Sequence, residues 1–213
     1  MPECRYTSLR PTLSARSGPT RLGRVTRIIS GDYGGRRIAV PATGTRPTTD
    51  RVREALFSKL EAANSLKGAH VLDLFAGSGA LGLEAMSRKA ASVTFVESAT
   101  GAARTIESNV MELGLGTRAR VVKERALQFV KRTNDKYTLV FIDPPYDIAR
   151  GDLAAVLTAL GEKLPAEANI VVEFARRAVM PEWPTTIAPT SSKDYGDTVL
   201  HFAHTLPSPR TQS

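Results

Sequence analysis

The sequence of 213 residues has few of the side chains that build disulfides and metal sites. Cys4 is the single cysteine, so an internal disulfide is excluded. The three histidines, His70, His201 and His204, are scattered and cannot complete a zinc site with one cysteine. We therefore expect no metal ion and a reducing compartment such as the cytoplasm.

Long hydrophobic runs are also missing. No apolar stretch approaches the roughly 20 residues of a membrane-spanning helix, and the start lacks the apolar region of a secretory signal. Its richness in arginine and serine is typical of transit peptides. We favour instead an extended or misassigned start, disordered over residues 1–22, and we expect a second disordered tail at residues 206–213.

Negative charge is scarce at the beginning of the chain. Residues 1–53 contain eleven arginines and three acidic residues, whereas the other 160 residues contain 18 basic and 18 acidic side chains. The whole net charge of +8 therefore lies in the first quarter of the sequence. Because arginine contacts phosphates and stacks on bases, this distribution indicates a nucleic acid partner. For residues 1–22 a merely solubilising tail explains the charge equally well.

The most informative motif that is present follows a short apolar run at residues 137–142. This run predicts a buried strand that ends abruptly at a proline pair. The residues after it are Asp143, Pro144, Pro145 and Tyr146. Because ligands bind at the carboxyl ends of strands in open α/β sheets, this tetrapeptide is predicted to face a substrate.

The tetrapeptide suits the methylation of an amino group on a nucleobase, whose lone pair is delocalised into the ring. The Asp143 carboxylate can accept one N–H of the amine and the Pro144 carbonyl the other, since proline has a fixed φ and no N–H. Tyr146 offers a face on which the base can stack, a contact worth about 1–3 kcal/mol. Taken alone, the four residues could also form an ordinary turn.

A second strand, at residues 70–75, runs into a glycine-rich turn and then a helix. Gly77, Gly79 and Gly82 match the pattern G-x-G-x-x-G, in which glycines permit a tight turn and a close approach of the backbone to a ligand. Glu97 follows the next strand at about the spacing of an acid that binds ribose hydroxyls. The pattern predicts a nucleotide-containing ligand without choosing it.

Two classes of enzyme share these features. A nicotinamide-dependent dehydrogenase needs a proton donor for a substrate oxygen, and the histidines lie in poor positions for that role. A methyltransferase pairs an acid at the end of the first strand with an Asp- or Asn-Pro-Pro-aromatic motif after the fourth. Asp73 and the tetrapeptide match this pair, which favours a methyltransferase.

These residues resemble one family. The sequence resembles the RsmD-type bacterial ribosomal RNA methyltransferases at residues 73–85 and 143–146, and also at residues 27–31, 35–37, 46–57 and 195–198. The resemblance implies S-adenosylmethionine (S-adenosyl-L-methionine) as the methyl donor. As acceptor it implies the N2 amine of a specific guanine in 16S rRNA, which in this family is guanine 966. It also implies an α/β Rossmann-like class I methyltransferase sheet, mostly parallel with an antiparallel last strand. We expect a monomer that acts on rRNA in a small-subunit assembly particle.

The basic segment has a pattern of its own. Residues 25–29 and 36–40 are strand-like runs around a glycine-rich loop, which predicts a small N-terminal β-hairpin. We divide the chain into the arm, a hairpin RNA-binding extension at residues 23–48, a methyltransferase domain at residues 49–205 and the tail. The arginines expected to contact RNA are Arg24, Arg27, Arg36, Arg37 and Arg46.

Thr49 can cap a helix in which Val52, Leu56 and Leu60 recur at helical spacing. Further helices are predicted at residues 102–113, 125–132 and 153–160, and further strands at 92–96, 120–122, 169–174 and 199–203. This alternation predicts a parallel sheet. For residues 195–196 a tight turn before the last strand is favoured over an RNA contact.

The resemblance also assigns residues to the cofactor. Thr48 and Arg51 are the candidates near the donor's carboxylate, although a role in starting the helix explains them nearly as well. The family usually has Asp or Asn where this chain has Arg125, so the backbone N–H of Ala126 is the contact expected for adenine. The complete set of cofactor candidates is Asp73, Phe75, Gly77, Ser78, Gly79, Glu97, Ser98, Ala126, Thr48 and Arg51.

Three alternatives stay open. A DNA adenine-N6 methyltransferase uses the same tetrapeptide, but a separate target-recognition domain is absent from this chain. A protein-glutamine methyltransferase usually has Asn in place of Asp143. The third is an RNA-binding assembly factor that keeps the fold without activity, which the presence of both Asp73 and Asp143 disfavours.

Overall fold

The computed structural model describes residues 25–41 and 49–207. Within these ranges the chain forms nine strands and five helices, and none of these helices has the length and apolar character needed to cross a membrane. Three of the predicted site residues, Arg24, Arg46 and Thr48, lie outside the described residues, as does Cys4. The predicted basic arm and most of the predicted tail also lie outside them.

Strands and helices alternate through the central part of the chain. The strands are β1 (Val25–Arg27), β2 (Arg37–Ala39), β3 (His70–Leu74), β4 (Ser92–Val96), β5 (Ala119–Val122), β6 (Leu139–Ile142), β7 (Asn169–Ala175), β8 (Ile187–Tyr195) and β9 (Thr198–Thr205). The helices are α1 (Asp50–Ala62), α2 (Ala80–Ser87), α3 (Thr100–Glu112), α4 (Ala126–Arg132) and α5 (Arg150–Lys163). As predicted, Thr49 caps α1, with its hydroxyl accepting the Val52 N–H at 3.4 Å.

Seven strands form one sheet in the order β5-β4-β3-β6-β7-β9-β8. The first five run parallel, and β9 runs antiparallel to both of its neighbours. The predicted mostly parallel sheet with an antiparallel last strand is therefore confirmed. The strand order reverses between β3 and β6, and a reversal of this kind opens a crevice at the carboxyl ends of the two strands.

The sheet has a hydrophobic layer on each face. Val71 and Phe141 belong to a cluster that packs against α1, α2 and α3. Their neighbours Leu72 and Val140 point the other way, into a cluster with α4 and α5. Because successive side chains of a strand alternate between faces, strands covered on both sides are apolar throughout, which is why β3 and β6 were readable as short apolar runs.

The hairpin of β1 and β2 packs on the helical layer. Its strands pair antiparallel, as predicted, and Ile28 and Ile38 are buried in the same cluster as α1 and α2. The Asn109 side chain on α3 accepts the Ala39 N–H at 2.9 Å and donates to the Ala39 carbonyl at 3.0 Å. The hairpin therefore shares its core with the sheet and its helices.

Glu84 on α2 is the charged anchor of the hairpin. Its carboxylate is fully buried and accepts the backbone N–H groups of Ile29 at 2.6 Å and Ser30 at 3.1 Å. Arg88, one turn further along α2, donates to the same carboxylate at 2.7 Å. A buried carboxylate satisfied in this way ties the hairpin backbone to the helix.

Strand β8 was not predicted. Its central residues, from Thr190 to Asp194, are polar and exposed, so the alternation that identifies a half-buried strand is missing. Pro189 also argues against a strand, but β8 is the edge strand of the sheet, where proline is tolerated. After β8 comes the predicted tight turn, in which Gly196 has a φ of +62°.

The anchor predicts a large loss of stability for Glu84→Ala. Two backbone N–H groups would lose their acceptor inside the core, and Arg88 would keep only its pair with Glu61, so we expect the free energy of unfolding to fall by about 3–5 kcal/mol. Urea unfolding measures this change. Glu107→Ala, at an exposed position of α3, is the matched control and should change stability by less than about 0.5 kcal/mol. Equal effects of the two substitutions would contradict the anchor.

Candidate active site

A cleft of about 890 Å³ opens where β3 and β6 end. All four residues of the Asp143 tetrapeptide line it. Seven of the cofactor candidates also line it: Asp73, Phe75, Gly77, Ser78, Glu97, Ser98 and Ala126. Gly79 is buried, Arg51 is exposed on α1, and neither of them lines the cleft.

The turn after β3 has a backbone that few side chains allow. Phe75, Gly77 and Gly79 have φ angles of +59°, +55° and +77°, in the left-handed region that favours glycine. A Cβ on Gly79 would come within 3.2 Å of the Phe95 ring. On Gly82, in the first turn of α2, a Cβ would lie 2.8 Å from a methyl group of Val93 and collide with the Phe95 ring. These glycines let α2 begin directly against the sheet.

Asp73 fixes the position of α2. Its carboxylate is buried and accepts the Gly82 N–H at 2.9 Å, which satisfies a donor in the first turn of the helix. Burial, with a smaller contribution from the nearby charge of Glu97, raises the pKa of Asp73 to about 8 against the lowering effect of the Gly82 hydrogen bond. The acid predicted to serve the cofactor therefore also holds the start of α2.

Glu97 joins two loops at the floor of the cleft. One carboxylate oxygen accepts the Gly77 N–H at 2.9 Å, and the other accepts the Ala99 N–H at 2.7 Å. The spacing seen in the sequence thus brings the acid onto the glycine-rich turn itself. Each oxygen keeps further acceptor capacity, so the carboxylate can also accept hydrogen bonds from a ligand.

The tetrapeptide is tied to the neighbouring strand. The Asp143 N–H reaches the Leu74 carbonyl at 3.4 Å, and the Pro145 carbonyl accepts the Ile148 N–H at 3.0 Å to close the following turn. Pro144 is buried, whereas Tyr146 is 57% exposed at the wall of the cleft. An exposed aromatic ring beside a partly buried acid offers a stacking surface next to a hydrogen-bond acceptor.

Glu173 is an acid of the cleft that sequence reasoning missed. It lies on β7, next to β6, and lines the cleft together with Asp143. Burial raises the pKa of Asp143 well above its usual range, and the charges of Glu173 and Asp73 raise it further. The signal in the sequence was a single charge inside the apolar strand Asn169–Ala175.

Arg53 was also missed. It lines the cleft with only 1% of its surface exposed. One terminal nitrogen, Nη2, donates to Asp50 at 2.8 Å, to the Arg27 carbonyl at 2.8 Å and to Thr26 at 3.0 Å. Nε and Nη1 have no hydrogen-bond partner among the described residues. In the sequence, Arg53 follows Val52 and precedes by one helical turn the apolar residues of α1. This position on the apolar face of the helix could have indicated that Arg53 is buried.

At the other end of the cleft, Arg125 precedes α4 and makes no capping hydrogen bond with its side chain. It lines the cleft beside Ala126. The neighbouring Glu124 is held by Arg132 at 2.5 Å. Within residues 25–41 and 49–207, no group of three or more His, Cys, Asp or Glu side chains is arranged to hold a metal ion.

Comparison with known proteins decides the family. The family described as "Conserved hypothetical protein 95" matches residues 26–204. Over 161 residues the chain is 42% identical to "Ribosomal RNA small subunit methyltransferase D" of Escherichia coli strain K12, covering 74% of this chain and 79% of that protein. The chain belongs to the RsmD family of methyltransferases. The family predicted from the sequence is confirmed.

Solved structures agree with the RsmD-family fold. A putative methyltransferase from Escherichia coli has a TM-score of 0.76 and 37% identity, covering 87% of this chain and all of that one. Magnesium protoporphyrin IX methyltransferase from Synechocystis, solved with bound SAM, has a TM-score of 0.59, with 76% of this chain and 86% of that one covered. At 12% identity this second likeness shows the fold alone. The fold is that of a methyltransferase.

Asp73 predicts an unusual dependence of stability on pH. Its carboxyl keeps its proton up to about pH 8 in the folded protein, but ionises near pH 4 in the unfolded chain. Its contribution to stability is thus complete below about pH 4 and is lost as the pH rises to about 8. The Asn side chain of Asp73→Asn cannot ionise. In the absence of ligand, we therefore expect the free energy of unfolding of this variant to exceed that of the unaltered protein by a few kcal/mol at pH 8 and to equal it near pH 4.

Urea unfolding of both proteins between pH 4 and pH 8 measures this difference. Asp197→Asn, in the exposed turn before β9, controls for the loss of one carboxylate. For that control, the free energy of unfolding should change with pH in the same way as for the unaltered protein. Parallel curves for Asp73→Asn as well would contradict the raised pKa.

Proposed function

We propose that the protein transfers a methyl group from S-adenosylmethionine to the N2 amine of one guanine in 16S rRNA. The observation that carries the proposal is the meeting of the Asp143 tetrapeptide and the glycine-rich turn in one cleft. The name of the Escherichia coli relative, a small-subunit rRNA methyltransferase, supports the choice of RNA. The activity is favoured over that of a DNA adenine methyltransferase and over a non-catalytic assembly factor.

The cleft fits S-adenosylmethionine in shape and charge. The turn at Gly77 brings backbone close to a ligand, and Glu97 carries acceptors for ribose hydroxyls. The ammonium and sulfonium charges of the donor would lower the raised pKa values of Asp73 and Asp143 and so favour their carboxylate forms. We assign the Ala126 N–H to the adenine ring. When bound, S-adenosylmethionine supplies a methyl group activated by a sulfonium.

Asp143 and Pro144 orient the amine. In our proposal the carboxylate accepts one N–H and the Pro144 carbonyl accepts the other, while Tyr146 stacks on a guanine that has left its helix. The N2 lone pair forms a bond to the methyl carbon as the carbon–sulfur bond breaks and its electron pair stays on sulfur. N2 then loses a proton, which the Asp143 carboxylate takes up. Positioning supplies most of the rate gain, since no covalent enzyme intermediate is needed.

The hairpin is the proposed RNA-binding element. Arg36 and Arg37 are exposed on it, and Arg27 has 66% of its side chain exposed while it pairs with Asp50. Thr26, next to Arg27, lines the cleft, so RNA bound along β1 and β2 would lie beside the site. The roles of Arg24, Arg46 and residues 1–22 remain predictions. We further propose a cytoplasmic monomer that acts on a small-subunit particle during assembly.

Asp143→Ala tests the catalytic assignment. Without the acceptor the amine is no longer oriented, so we expect turnover to fall at least about 100-fold, with the affinity for S-adenosylmethionine retained. Transfer of a labelled methyl group to small-subunit particles and to naked rRNA, followed by nucleoside analysis, measures the rate and identifies the base. Asp135→Ala, exposed before β6, serves as the control. Unchanged turnover of Asp143→Ala would remove the tetrapeptide from the mechanism.

Replacing both Arg36 and Arg37 by Ala tests the hairpin. Each lost phosphate contact should reduce the salt dependence of RNA binding by about 0.7–0.9 in the slope of log K against log salt. We expect weaker binding of RNA and an unchanged affinity for S-adenosylmethionine. Lys131→Ala, exposed on α4, removes a charge elsewhere. The same slope in the double variant and in the unaltered protein would exclude these arginines from the RNA interface.

A further inference from the structure

Three acids lie on the same face of neighbouring strands at the mouth of the cleft. Asp73 of β3 is level with Phe141 of β6, which is level with Val171 of β7. Glu173 lies two residues further along β7, and Asp143 is the first residue after β6, where its N–H still reaches the Leu74 carbonyl of β3 at 3.4 Å. Because side chains alternate with a period of two, both acids point to the face of the sheet that carries Asp73.

Glu173 lies beside the tetrapeptide in two cavities. The two line the cleft together, and they also line a smaller recess at the end of β7 together with Thr198. The charge of Glu173 contributes to the raised pKa of Asp143, in agreement with their shared place in the cleft. Two neighbouring carboxylates present adjacent acceptors, which match a ligand edge that carries adjacent hydrogen-bond donors.

The Watson–Crick edge of guanine provides such donors. Its N1–H and its N2 amine are adjacent, and both donate hydrogen bonds. Adenine differs at this edge, because its N6 amine donates but its N1 has a lone pair and only accepts. A second carboxylate beside the amine site therefore gains a hydrogen bond from guanine and meets the lone pair of adenine, a repulsion that contributes to specificity.

We propose that Glu173 accepts the N1–H of the target guanine while Asp143 and Pro144 hold its N2 amine, so that Glu173 selects guanine over adenine. The inference rests on the proposed function. It adds a specificity residue on β7 to the tetrapeptide after β6. It also gives a physical reason for an ionisable side chain in a strand whose neighbours Val172 and Phe174 are buried.

The test uses RNA in which 2-aminopurine replaces the target guanine. 2-Aminopurine keeps the N2 amine, but its N1 carries a lone pair instead of a proton. For the unaltered full-length protein, we expect kcat/KM on 2-aminopurine RNA to be about 10- to 100-fold lower than on guanine RNA, the range of a lost charge-assisted hydrogen bond. Equal values on the two RNAs would overturn the inference without any variant.

Glu173→Gln isolates the side chain. Its amide can donate to N1 of 2-aminopurine, so the preference for guanine over 2-aminopurine should fall at least about tenfold. A residue that only shapes the cleft, or only raises the pKa of Asp143, would lower both rates by the same factor and leave the preference unchanged. That result would reject Glu173 as the N1–H acceptor. Asp135→Asn should leave the preference and both rates unchanged.

The outcome separates this inference from the proposed function. If the unaltered protein methylates no guanine, the proposed function fails and the inference fails with it. If guanine is methylated and the preference is unchanged in Glu173→Gln, only the inference fails. The affinity of the variant for S-adenosylmethionine and its urea unfolding establish that it is folded.

Discussion

The cluster of three acids at the carboxyl ends of β3, β6 and β7 is the constraint on which the site depends. Parallel strands in fixed register bring Asp73, Asp143 and Glu173 to one edge and one face of the sheet. Burial alone already opposes the ionisation of Asp73 and Asp143, and each neighbouring acid adds to the cost. Such a cluster is stable as charge only beside cations or hydrogen-bond donors. In the proposed reaction, a cationic methyl donor and an amine-bearing base would provide both.

The same register explains why two distant motifs act together. The glycine-rich turn follows β3 and the tetrapeptide follows β6, and about 70 residues separate them in the chain. The reversal of strand order places these two ends side by side, with no strand between them. Each motif could therefore be recognised on its own strand, while the cleft exists only because the strands are neighbours.

Local chemistry was predictable from the sequence and tertiary packing was not. The turn at Gly77, the acid Glu97 and the cap Thr49 depend on residues close in sequence, so their patterns were visible. Glu173, Arg53 and β8 depend on which element lies next to them. A charge within an apolar strand or helix face marks a buried polar group, but only the neighbouring elements reveal what it faces. An edge strand without alternation leaves no periodic signal at all.

Helix α2 has one further consequence. Its first turn is held by Asp73 through the Gly82 N–H, and the hydroxyl of its last residue, Ser87, accepts the Tyr33 N–H of the hairpin. The five residue steps from Gly82 to Ser87 span about 7.5 Å of α-helix, and neither of these two positions is on a loop. The helix is thus a spacer of fixed length between the two. Any molecule that contacts both must match this distance, because the protein has no hinge there with which to adjust it.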